Sequence, residues 1–344
     1  MQCTLHRRRV RLALAAALAA AVAAPAAADD VADFFRGRQI TYVIQAGAGG
    51  YYGLNGRLIA DHMGRFIPGN PSIVPQHMPG AGGIKAANHA YNVAPKDGTV
   101  MAMLSADLAV VQRMKPEAVR YDAAKFNWIG SIYPFSQVLS IYHTANVKTL
   151  DDLKKKEIVL GHTGRSSHNY MQGVLLAKYY GLKLRNVAGY RGGSDLYLAM
   201  ERGEVHGRIG SWSSLVATKG DWLARKKIVS LMQAGLERSA ALRDVPTMVE
   251  LAPNDEVREM FAFLSGGTPV GWSACLPPGV PAARVAALRT AWEALLRDPA
   301  FQADVKKRKA AIDARTAAQV EAAVKRTLAT PDAIVKKILA AAKG

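Results

Sequence analysis

Cysteine is scarce in this chain of 344 residues: there are two, Cys3 and Cys275. Cys3 falls in an N-terminal segment that reads as removable, and the single thiol left closes no internal disulfide. The fold must therefore rest on a packed core. Long apolar runs are missing beyond about residue 24; no later stretch approaches the roughly 18 apolar residues that a spanning helix needs. Metal-binding patterns are missing too. His62, His77, His89, His143, His162, His168 and His206 stand in no H-E-x-x-H or comparable spacing, so no metal is expected. Acid is in short supply, with 27 Asp and Glu against 45 Lys and Arg, a formal charge of +18. Half of the residues are hydrophobic, which excludes a disordered chain. The length suggests two domains.

What is present begins with an export signal. Arg7, Arg8, Arg9 and Arg11 form a basic start, an Ala- and Leu-rich run follows from Leu12 to Ala24, and Ala26-Ala27-Ala28 reads as a cleavage site. Residues 1–28 are expected to be removed, leaving a periplasmic chain of about 29–344. Loss of those four arginines takes the charge from +18 to +14. Cys3 lies ahead of the apolar run rather than at the cleavage point, which speaks against a lipid anchor.

Past the signal, apolar β-branched runs alternate with helical patterns. Strands are expected over Gln39–Gln45, Ser72–Met78, Val100–Leu104, Ile158–Leu160, Leu184–Val187, Ile228–Met232 and Gly271–Leu276. Helices are expected over Leu54–Phe66, up to Tyr91, about Ser167–Tyr180 and about Asp195–Arg202, and repeatedly from Pro281 to Lys343. Strands alternating with helices of ten or so residues predict an α/β fold with mostly parallel sheets flanked by helices.

Ligands of such folds sit beyond the carboxyl ends of strands, where helix N-termini offer unpaired N–H groups. Three glycine-rich junctions fit. Gly47-Ala48-Gly49-Gly50-Tyr51-Tyr52 follows the first strand. Gly161-His162-Thr163-Gly164-Arg165-Ser166-Ser167-His168 follows the strand at 158–160. Gly189-Tyr190-Arg191-Gly192-Gly193-Ser194 follows the strand at 184–187. Glycine allows close approach of the main chain, and hydroxyls add adjustable donors. Two of the three junctions carry an arginine.

Three longer segments carry a family likeness: IPGNPSIVPQHMPGAGGIKAANHAYNVAPKDGT (67–99), GYRGGSDLYLAMERGEVHGRIGSWSSL (189–215) and LPPGVPAARVAALRTAWEALLRDPAF (276–301). In order and spacing they resemble the substrate-binding proteins of tripartite tricarboxylate transporters, the TctC-like or Bug receptors. The resemblance covers nearly all of the expected mature chain. It implies a two-lobed type II periplasmic binding fold, with one lobe of about 29–135 plus 255–344 and the other of about 136–254. It implies capture of a small carboxylate between the lobes by a monomer, without cofactor, and delivery to a transporter with one large and one small membrane subunit. The ligand contacts it implies are Gly49, Gly50, Tyr51, Tyr52 and Ser105 on the first lobe. On the second they are Thr163, Gly164, Ser166, Ser167 and His168, with Tyr190, Gly192 and Gly193 bordering the cleft. Arg165, Arg191 and Arg208 stand beside these loops as candidate anion partners. Gly53 stands where many relatives have an aspartate, and Ala46-Gly47-Ala48 replaces a proline-containing approach.

Other readings of the same residues are weaker. The basic clusters Lys154-Lys155-Lys156 and Lys306-Lys307-Arg308-Lys309 fall on polar helix faces or ends, and no nucleic-acid reader motif accompanies them. Ser167 and His168 are adjacent and lack a nucleophile-elbow pattern, so hydrolysis is disfavoured and no enzyme is expected. A receptor reporting an extracytoplasmic carboxylate to a two-component system is the alternative to uptake.

Overall fold

The computed structural model describes residues 30–48, 51–165, 167–308 and 312–342. The expected signal at 1–28 and the candidate residues Gly49, Gly50 and Ser166 lie outside the described residues. Eleven strands are described: β1 (Gln39–Ile44), β2 (Ser72–His77), β3 (Val100–Met103), β4 (Asn127–Ser131), β5 (Gln137–Tyr142), β6 (Ile158–His162), β7 (Leu184–Ala188), β8 (Gly207–Ser211), β9 (Ile228–Ala234), β10 (Ser273–Leu276) and β11 (Arg315–Thr316). They form two sheets, in the orders β11-β4-β10-β3-β1-β2 and β7-β6-β8-β5-β9.

The pairings make each sheet mostly parallel in direction. In the first, β1 is parallel to β2 and β3, while β10 runs against both β3 and β4, so β1–β4 share one direction. In the second, β6 is parallel to β7 and β8, and β5 runs against both β8 and β9, so β6–β9 share one direction. The chain thus crosses from the first sheet to the second after β4 and returns before β10. The crossing segments pair with each other: Ile132 N–H donates to the Trp272 carbonyl and Trp272 N–H to the Tyr133 carbonyl, both at 3.1 Å.

Strands β4, β5 and β8 carry no alternating signal because almost every residue in them is buried. A strand covered on both faces does not alternate apolar with polar. Gly130, Gly207 and Gly210 further mask β4 and β8 as loop-like sequence. The helix expected from Leu54 begins earlier, at Tyr51, and ends at Met63. Pro299 opens a helix as expected, and Asp298 caps it by accepting from Phe301 N–H at 2.7 Å.

Helices cover both faces of both sheets. Tyr51–Met63 and Ala282–Arg297 bury Leu58, Ile59, Leu288 and Trp292 against one face of the first sheet. Ile84–Asn92 and Ala317–Leu328 bury Ala86, Ala87, Val320 and Val324 on its other face. On the second sheet, His168–Tyr180 supplies Leu175 and Leu176 to a cluster that also takes Met260 and Phe261 from Asp255–Leu264 and Ile334 and Ile338 from Asp332–Ala341. Gly193–Glu201 and Trp212–Ala224 cover the opposite face with Tyr197, Met200 and Trp222. No helix among the described residues is long and apolar enough to cross a membrane.

Candidate functional site

Each sheet has a point where neighbouring strands send their connections to opposite sides, and such switch points leave a crevice at the strands' carboxyl ends. In the first sheet it lies between β1 and β3, in the second between β6 and β8. The loops at the two crevices touch. His168, six residues after β6, places Nδ1 at 2.9 Å from Oδ2 of Asp107, four residues after β3. Tyr51, after β1, lies near Ser213, just past β8.

On the first-sheet side the site is built from neutral donors on an aromatic base. Tyr52 packs tilted against Trp272 with ring centroids 4.5 Å apart, and its hydroxyl lies near Gln45, Ser105 and Ala106. Burial, with the Asp107 charge added, pushes the Tyr52 hydroxyl pKa well up, so it stays a neutral donor. Ser105, half-buried at the end of β3, accepts from Asp107 N–H at 3.3 Å. Tyr51 turns inward instead: its ring meets Trp272 edge-on at 4.9 Å, and its hydroxyl lies 3.0 Å from that of Tyr133. Tyr133 in turn donates to Asn55 Oδ1 at 2.6 Å.

Gly53 has a packing reason. A Cβ at that position would sit 2.3 Å from the Ala48 carbonyl oxygen, so the loop after β1 folds down onto the helix where a side chain would stand.

The second-sheet side is more polar. Thr163 and Arg165 are exposed, Gly164 is half-buried, and Ser167 donates its hydroxyl to the Gly164 carbonyl at 2.6 Å. Both nitrogens of His168 are engaged, Nδ1 by Asp107 and Nε2 by the Gln137 side-chain amide at 2.5 Å. Ser167 and His168 thus have separate partners and do not pair with each other. Tyr190 is half-buried and packs against the cluster that holds Tyr197 and Trp222. The Arg191 side chain is 92% exposed and pairs with Asp195 at 3.1 Å, so it faces solvent rather than the cleft. Gly192 and Gly193 form the N-terminus of Gly193–Glu201, which has no side-chain cap.

Arg208 is the buried cation of this side, 8% exposed on β8. Its guanidinium lies over Gly210 and beside Gly193; a Cβ on Gly210 would fall within 2.5 Å of Nη2, Nε and Cζ. Nη1 donates to the Gly193 carbonyl at 3.3 Å, and the charge stands 4.8 Å over the Tyr197 ring. Nε has no partner. On the opposite face of the sheet, His162 is fully buried and donates from Nε2 to Asn186 Oδ1 at 2.7 Å. Burial lowers its pKa to about 4; the Asn186 contact opposes this, while the charges of Arg208 and His168 add to it.

Asp107, Gln137, Gln45 and Trp272 belong to this site without any sequence signal strong enough to select them. Asp107 looks like an ordinary residue ahead of a short helix, and Gln137 opens a strand that the pattern hides.

The sequence profile described as the tripartite tricarboxylate transporter family receptor matches residues 56–339. The chain belongs to that receptor family. Among curated proteins, no sequence matches the receptor. Three solved structures resemble it. MatC from Rhodopseudomonas palustris with bound malate is 21% identical over 88% of this chain and 100% of that one, with a TM-score of 0.66. An R. palustris protein with adipate is 20% identical over 89% of this receptor and 98% of its own chain, TM-score 0.67. A TctC solute binding protein from Polaromonas without ligand is 18% identical over 88% and 99%, TM-score 0.62. The likenesses show the expected periplasmic binding protein fold, and the family is one of solute-binding receptors rather than an enzyme class.

Proposed function

We propose that the receptor captures a small carboxylate at the seam between its two sheets and hands it to a transporter with one large and one small membrane subunit. In this reading it works in the periplasm as a monomer, after removal of residues 1–28. The observation that carries the proposal is the meeting of the two switch points, where Asp107 touches His168. A ligand at that seam is reached from both sides. Tyr52, Ser105 and Gln45 offer neutral donors from the first sheet. Thr163, Gly164, Ser167 and the Gly192–Gly193 helix start border it from the second. Asp107, the buried carboxylate there, is already matched by His168 and leaves the donors available to an anion.

Capture proceeds by hinge closure. The moving units are about 29–135 with 255–344 and about 136–254, joined where the chain crosses between the sheets after β4 and before β10. The helices Asp255–Leu264 and Asp332–Ala341 reach across to pack on the second sheet. Malate and adipate, found in structures of the R. palustris relatives, head the panel to test by calorimetry, with succinate, citrate and benzoate. At least one is expected to bind; a receptor that binds none of a broad panel of mono-, di- and tricarboxylates sinks the reading.

A further inference from the structure

A buried guanidinium with no acid beside it is costly, because the interior replaces its hydration shell with nothing of opposite charge. Arg208 is in that position. Among the described residues its protein hydrogen bond is the long one to the Gly193 carbonyl, and Nε points at no acceptor. The neighbouring charged groups are otherwise committed: His168 to Asp107 and Arg191 to Asp195. Two glycines make room for the charge. A Cβ on Gly210 or on Gly193 would meet the guanidinium within 3.0 Å, so both positions are kept bare where Arg208 lies. Beside it starts the nine-residue helix Gly193–Glu201, whose first-turn N–H groups have no capping side chain. A helix N-terminus and an unpartnered cation there favour the same thing, a negative charge.

We infer that Arg208 and the N-terminus of Gly193–Glu201 form a dedicated seat for the anionic head of the ligand, and that this seat makes the receptor select charged acids over neutral molecules of the same shape. The inference rests on the carboxylate reading above and adds its specificity-determining residue. On the first-sheet side a hydroxyl or amide of the ligand satisfies Tyr52 and Ser105 as well as a carboxylate does. On the second-sheet side only an anion compensates Arg208, and a guanidinium offers the parallel N–H groups that a carboxylate accepts in bidentate fashion. Lysine at this position would supply charge without the fork.

The test compares malate, adipate, succinate, citrate and benzoate with their primary amides, by calorimetry on the wild type, Arg208→Met and Gly210→Ala. The wild type is expected to prefer acid to amide by about 30- to 1000-fold, which at 1.4 kcal/mol per tenfold is about 2–4 kcal/mol. Arg208→Met is expected to abolish the preference. Gly210→Ala keeps the charge but evicts the guanidinium from its place, and is expected to reduce the preference at least tenfold. Thermal unfolding separates this from a structural role: Arg208→Met removes an uncompensated charge, so the ligand-free protein should melt no lower than the wild type. A wild type that binds none of the acids overturns the carboxylate reading and this one with it. A wild type that binds an acid, with Arg208→Met keeping the same acid-over-amide ratio or melting markedly lower without ligand, overturns this inference alone.

Discussion

His168 Nδ1 stands 2.9 Å from Asp107 Oδ2, and this contact joins the first residue of a second-sheet helix to the residue capping a first-sheet helix. Both side chains are largely buried, so the pair is shielded from solvent screening. It joins the two sheets across the seam where the ligand is proposed to bind.

Breaking this contact should loosen the ligand-free receptor. Hydrogen bonds to charged groups contribute about 1.5–3 kcal/mol, and Asp107→Asn gives up most of that for closure. Small-angle scattering of the ligand-free protein should report a larger radius of gyration for Asp107→Asn than for the wild type. Superimposable curves would show that the contact does not hold the lobes together.

Gly53 should resist restoration of the family aspartate. A side chain there runs into the Ala48 carbonyl, which is main chain and cannot rotate away. Overpacking of this kind typically costs about 1–3 kcal/mol. Gly53→Ala and Gly53→Asp should both lower the melting temperature, and by similar amounts, since the clash begins at Cβ. A Gly53→Asp receptor as stable as the wild type would mean that the loop after β1 simply lifts.

Stability should fall in mild acid because of His162. Its pKa drops from about 6.5 in the unfolded chain to about 4 in the fold, chiefly through burial. Above pH 6.5 both states are neutral at this residue. As the pH falls from 6.5 towards 4, the unfolded chain takes up a proton that the folded chain refuses, so unfolding gains and stability is lost. Below about 4 the folded state binds the proton too and the slope ends. The loss over the window is roughly 2–4 kcal/mol. In urea titrations, His162→Gln should be flatter than the wild type between pH 4 and 6.5; parallel profiles would contradict the assignment.

Arg191 should matter little to binding, although it sits in the same glycine-rich junction as Gly192 and Gly193. Its side chain points to solvent and pairs with Asp195. Exposed pairs contribute at most about 1 kcal/mol, so Arg191→Ala is expected to leave carboxylate affinity within about fivefold in calorimetry. A larger loss would bring Arg191 into the cleft of the liganded receptor.

The alternation of β-branched runs with helical periods was enough to read an α/β fold with mostly parallel sheets, because β1, β2, β3, β6, β7, β9 and β10 are bounded by glycine or polar turns that a local pattern reveals. Strands β4, β5 and β8 escaped it. They lie in sheet interiors, and residues buried on both faces carry no period. With β5 hidden, Gln137 had no place, and with β8 hidden, Arg208 was a charge near a glycine loop rather than a strand residue lying over Gly210.

The three junctions that chemistry singled out were local features, a strand end followed by glycines, and local sequence specifies such turns through the conformations that glycine permits. Composition likewise dictated that the fold rest on a core without disulfides. Which side chains of those junctions face one another was decided only by the tertiary structure. Asp107 and His168 are 61 positions apart in number and meet because two switch points face across one hinge. Arg191 and Arg208 are both arginines beside the cleft, yet one is paired in solvent and the other is buried without an acid. No sequence pattern separates them, because pairing and burial depend on distances through space that residue order does not encode.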